Sequence, residues 1–92
     1  MTSLQIDSER IELAKKIALE AGATRFMLFG SAATSPQTAR DLDFACAGVD
    51  GWKLFELGAR LEQALKMEID LVPLEPSNRF TESILVNGID LL

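Results

Sequence analysis

Cysteine is nearly absent from this chain of 92 residues. The single Cys46 excludes an internal disulfide. Within the apolar run DFACA it reads as a small core residue rather than a reactive thiol. Basic residues are scarce too: nine Lys and Arg stand against 14 Asp and Glu, a net charge of −5. Proteins that hold duplex nucleic acid displace its counterions with a basic patch. Here Lys15, Lys16, Lys53, Arg60 and Lys66 are interleaved with acids at helical spacing, the pattern of a solvated face. Direct duplex binding is therefore not expected. No stretch approaches the roughly 20 apolar residues that span a bilayer. The opening MTSLQIDSER has no basic region leading into an apolar core, so a secretory signal is not expected either. No repeat or low-complexity tract is present. These absences leave a cytoplasmic protein without membrane association as the expectation.

What is present is a substantial apolar fraction, 48% of the residues. That is enough for one small core, so residues 1–92 read as a single domain. A domain this small is marginally stable alone, which points to a partner or self-association. The spacing of Ile11, Ala14, Ile17, Ala18 and Ala21 predicts a helix over 8–21, capped by Asp7 or Ser8 and ended by Gly22. RFMLF, 25–29, reads as a strand closed by Gly30, and 31–40 as a polar loop with one helical turn after Ser31. A second strand starts at Asp41 and runs to Cys46. A second helix follows to Lys66, capped by Asp50, with a stripe of Leu54, Gly58, Leu61 and Leu65 flanked by Phe55 and Leu57. Gly58 in that stripe suggests a close approach of helix to sheet. MEIDLV, 67–72, forms a third strand stopped by Pro73. Ser77 or Asn78 caps a last helix that carries Phe80, Ile84 and Leu85 and stops at Gly88. The expected architecture is α+β, α/β-like: a small mixed sheet with helices packed on one face.

Three features concentrate the chemistry. Gly30-Ser31 follows a buried strand, Asp41 and Asp43 sit two apart at the start of the next, and Asp70 lies inside the third. Residues i and i+2 of a strand share a face, so Asp41 and Asp43 project together while Leu42 and Phe44 point the other way. If strands two and three are neighbours, three carboxylates converge on one patch. Their mutual repulsion favours protonation or a cation. Mg²⁺, or Mn²⁺ in its place, suits a site of one or two carboxylates completed by substrate phosphates. Gly30 permits close approach of a ligand to backbone. The N–H groups and hydroxyl around Ser31 can bind a phosphate.

In this order and on these elements, the motifs FMLFGS, AATSPQTAR, DLDFA and EIDLV resemble those of the DNA polymerase beta-like nucleotidyltransferase superfamily. By length the chain is similar to the minimal nucleotidyltransferases, which often act as antitoxins beside a helical HEPN-type partner. The closing ILVNGIDLL is similar to the ends of such proteins. The resemblance implies that Asp41 and Asp43 ligate two Mg²⁺ ions holding a nucleoside triphosphate, with ATP the expected substrate. Asp70 would ligate one ion and help activate the attacking hydroxyl, and Gly30 and Ser31 would hold the β- and γ-phosphates. The implied reaction is transfer of AMP to a hydroxyl on a protein or small molecule, with release of pyrophosphate.

The chain departs from the pattern in one place. Active minimal members commonly carry an Arg and a Gly in the loop after Gly-Ser, where this chain has Ala32, Ala33, Thr34 and Ser35. Arg40 is the candidate substitute for the missing cation. The alternative reading is an inactive module of the same fold that works by binding a partner. Both readings require a HEPN-type partner or a homo-oligomer, with Phe80, Ile84 and Leu85 as candidate contacts.

Overall fold

The computed structural model of the chain describes residues 8–30, 33, 41–49 and 51–92. Asp7, Ser31, Arg40 and Asp50, as well as Ala32, Thr34 and Ser35, lie outside the described residues. The elements run α1 (Ser8–Glu20), β1 (Arg25–Phe29), β2 (Asp41–Ala47), α2 (Trp52–Leu65), β3 (Glu68–Pro73), α3 (Arg79–Asn87) and β4 (Ile89–Asp90).

The strands form one mixed sheet in the order β3-β2-β1-β4. β1 pairs antiparallel with β2 and with β4, while β2 pairs parallel with β3. A parallel pair needs a crossover connection, and α2 supplies it. Alternation then sorts the strands. Phe26 and Leu28 of β1, Leu42, Phe44 and Cys46 of β2 and Ile69 of β3 join Ala14, Ile17 and Ala18 of α1 and Leu57, Leu61 and Leu65 of α2 in one core. Phe26 and Phe44 are fully buried and stack with ring centroids 4.6 Å apart. Such a pair contributes about 0.5–1.5 kcal/mol beyond its burial.

Helices on one face describes α1 and α2. The short α3 lies against the opposite face, where Ile84 packs with Met27 and Ala45 in a second, smaller cluster. The reason is the chain path: Leu74 turns under the sheet into that same cluster, and α3 must return the chain to the β1 edge for β4. Ile84 is thus core and not a partner contact, whereas Phe80 is 55% exposed and Leu85 is also exposed.

Two helix starts differ in kind. Asn78 caps α3 as expected: the Thr81 N–H donates to Asn78 Oδ1 at 2.9 Å, and the Asn78 N–H donates to Thr81 Oγ1 at 2.8 Å. This reciprocal box satisfies two backbone donors at once. At α2 the N-cap is Gly51, which has no side chain to give, rather than Asp50. The strand β4 was not anticipated. It is two residues long, and Leu91 N–H extends it by donating to Phe26 O at 2.9 Å.

Candidate functional site

The face that α1 and α2 leave open carries the acids. In β2, Leu42 and Phe44 are buried, while Asp41 and Asp43 between them are only partly covered. The β2–β3 register places Asp43 beside Asp70 and Asp41 beside Glu68. Neighbouring residues in register point to the same face, so four carboxylates share it. Glu68 is the one that the sequence reading missed. Its signal was there: EID repeats the two-residue spacing of DLD, and a parallel pair in this register aligns the two couples.

Distance decides which acids interact strongly. Adjacent strands lie about 4.8 Å apart, whereas residues two apart along a strand are separated by roughly 6.7 Å. Asp43 and Asp70 face each other across the ladder, within hydrogen-bonding reach. Asp43 is accordingly pushed above the ordinary carboxylate range, first by burial, then by hydrogen bonding to Asp70, then by the negative charges of Asp41 and Asp70. Asp70 itself is exposed, on the edge strand β3. The site is therefore a coupled pair with Asp41 alongside. Among the described residues no three acidic, histidine or cysteine side chains form a complete cage for a metal ion, so the expected three-way convergence is not met. The donor set still fits a hard divalent cation. It is all oxygen, it is strained by like charge, and Mg²⁺ takes only one or two carboxylates when phosphates complete its shell.

Gly30 closes the other side. Its φ is +75°, and a Cβ added to it would run into the Asp43 carboxylate and lie 3.3 Å from Asp43 Cβ. Phe29, just before it, is the register partner of Asp43. The Ala33 N–H donates to Gly30 O at 3.1 Å, and Ala33 is helical. Only glycine lets this turn pass so near the carboxylate. Of the residues assigned by sequence, Asp43 is brought against Asp70 and Gly30, with Asp41 farther along the same face. Cys46 lies on the opposite face, and burial pushes its thiol up to about 11, the inert state.

The sequence matches no protein-family model and no curated protein, but its structure has clear neighbours. A structure described as a minimal nucleotidyltransferase superposes with a TM-score of 0.74 at 28% identity, covering 88% of each chain. A toxin–antitoxin structure with AMP-PNP gives a TM-score of 0.76 at 23% identity, over 95% of this chain and 73% of the other. A tri-AMPylated HEPN toxin from Shewanella oneidensis in complex with its MNT antitoxin gives 0.75 at 20% identity, over 95% of this chain and 72% of the other. The chain has the nucleotidyltransferase fold. Among the described residues no helix is long and apolar enough to cross a membrane.

Proposed function

We propose that this chain, built on the fold of the minimal nucleotidyltransferases, transfers AMP from ATP to a hydroxyl and serves as the antitoxin of a HEPN-type toxin. The observation that carries the reading is that Gly30 leaves room for the Asp43 carboxylate, which faces Asp70 across the ladder. A glycine turn and a pair of facing carboxylates would form the two halves of one triphosphate site.

Asp43 and Asp70, with Asp41 beside them, would hold Mg²⁺ or Mn²⁺, which when bound supplies positive charge to the triphosphate. Gly30 and the turn after it would direct backbone N–H groups at the β- and γ-phosphates. Asp70, exposed at the sheet edge, would be within reach of an acceptor. The acceptor oxygen bonds to the α-phosphorus as the bond to the bridging oxygen breaks. Pyrophosphate leaves with that electron pair, and the acceptor proton passes to Asp70. The AMPylated toxin of one neighbour supports a protein as acceptor.

A second reading rests on the loop: Ala32, Ala33, Thr34 and Ser35 lack the Arg and Gly common in active members. In that reading the protein binds nucleotide and toxin without turnover. The two are separated by incubating the protein with Mg²⁺, ATP labelled at the α-phosphorus and a HEPN toxin such as the one in the neighbouring complex. Label on the HEPN protein that is lost in Asp43→Asn supports transfer. Stable complex formation without label supports the binding module.

A further inference from the structure

Next to the carboxylate pair, on the same face of the sheet, a cavity of about 300 Å³ opens between β1 and α3. Its lining includes Phe29, Gly30, Phe80, Ser83 and Asn87. Two features set it apart from the other hollows of the described surface. It is lined by Gly30, the residue that lies against the Asp43 carboxylate, so it adjoins the proposed triphosphate site. It is also walled by two aromatic rings, Phe29 and Phe80, which meet edge to face with centroids 5.7 Å apart. Phe80 keeps 55% of its surface exposed although it belongs to the sheet-packed helix that buries Ile84.

We propose that this cavity is the base subsite of the nucleotide, and that it takes a purine, adenine in preference to guanine. The inference rests on the nucleotidyltransferase reading and deepens it. Aromatic side chains bind bases by stacking, whichever base is offered. Selectivity needs a hydrogen-bonding edge, and α3 provides one: Ser83 and Asn87 lie one turn apart, the Asn87 amide nitrogen 3.4 Å from Ser83 Oγ. An asparagine amide matches the N6/N7 edge of adenine bidentately, accepting from the amino group and donating to the ring nitrogen. Guanine presents an oxygen in place of that amino group and leaves the Asn87 carbonyl unpaired. The volume is at the lower end of the roughly 300–1,000 Å³ found for small-molecule sites, which suits one end of a ligand whose triphosphate lies outside on Gly30 and the acids. The device is economical: α3 is anchored by its capping box at Asn78 and by Ile84, and its exposed residues are free to face the nucleotide.

The test compares calorimetric titrations of the full chain in Mg²⁺ with ATP, GTP and inorganic tripolyphosphate. ATP is expected to bind at least tenfold more tightly than tripolyphosphate, and more tightly than GTP. Phe80→Ala and Phe80→Leu should each weaken ATP about tenfold, the loss expected for one stacked base, and leave tripolyphosphate unchanged. Phe80→Trp should restore ATP binding, and Asn87→Ala should erase the preference for ATP over GTP. Phe80 is exposed enough for these variants to fold, and unaltered tripolyphosphate binding reports that they have. Equal affinities for ATP and tripolyphosphate, insensitive to Phe80, would overturn the subsite and leave the triphosphate site standing. Failure of both ligands to bind the wild type would overturn the proposed function and the subsite with it.

Discussion

The two faces of β2 are made by alternate residues of one strand, yet they obey opposite rules. Leu42, Phe44 and Cys46 are almost wholly buried under α1 and α2. Asp41 and Asp43, interleaved with them, bring like charges together beside Asp70. One face gains stability by removing apolar surface from water. The other face brings acids together at some cost in stability, a cost functional sites commonly carry, and under the proposed function a cation and phosphates would use them. The division predicts that substitutions on the two faces will differ in sign as well as in size.

The largest effect belongs to the core. Phe44→Ala removes one ring of the stacked pair from a fully buried site, and should cost about 3–5 kcal/mol, measured by urea denaturation. In so small a domain that is most of the folding free energy, and a loss below about 1 kcal/mol would show that the helix-covered face is not the main core. Next comes Gly30→Ala, which sets a side chain against the Asp43 carboxylate at a left-handed backbone position. The strain should cost about 1–2 kcal/mol, and Mg²⁺-dependent nucleotide binding should be lost altogether. A variant that binds ATP normally would break the link between the turn and the acids.

On the acidic face the sign reverses. Asp43→Asn relieves repulsion, so in EDTA at pH 7 it should raise the Tm. The rise should be no more than a few °C, since about 1 kcal/mol moves Tm by roughly 4–8 °C at this size and solvent screens a partly exposed pair. The pH dependence follows from the raised Asp43. A folded state that holds a proton more tightly than the unfolded chain is stabilised at low pH. The wild type should therefore lose stability relative to Asp43→Asn as pH rises from the ordinary aspartate value of about 4 through the raised value of the folded state, and the gap should then stay level. Melts across pH in EDTA would show it, and a gap independent of pH would mean that Asp43 and Asp70 are solvated separately.

The smallest effect concerns Gly58. The sequence suggests a close approach of helix to sheet there. In the structure an added Cβ would sit 3.8 Å from Leu71 Cβ, an ordinary contact. Gly58→Ala should therefore stabilise the protein by about 0.5–1 kcal/mol through helix propensity. A loss of stability would place α2 nearer β3.

Periodicity made most of this fold legible. Ile17, Ala18, Leu61 and Leu65 mark helix faces, and the strands at Arg25 and Asp41 begin where apolar alternation begins. Alternation also put Asp41 and Asp43 on the open face. What it could not supply is register. That Asp43 meets Asp70 while Asp41 meets Glu68 depends on how β2 and β3 slide past each other, which follows from the packing of Phe44, Ile69 and Leu71 beneath α2 and not from the spacing within either strand. Hence the expectation of three converging acids, where the ladder builds a close pair flanked by two more. The side of the sheet taken by α3 was hidden for the same reason, because Ile84 and Leu85 read alike until the chain path selects which of them is buried. β4 went unseen because two residues are too few to carry a period.

The central claim is that the open face binds a triphosphate through a divalent cation held by Asp43 and Asp70 next to Gly30. Titration of the wild-type protein with ATP, once in Mg²⁺ and once in EDTA, tests it most directly. The account predicts saturable binding in Mg²⁺ and none in EDTA, because without a cation the acids repel the phosphates. Equal affinity in the two buffers would contradict it.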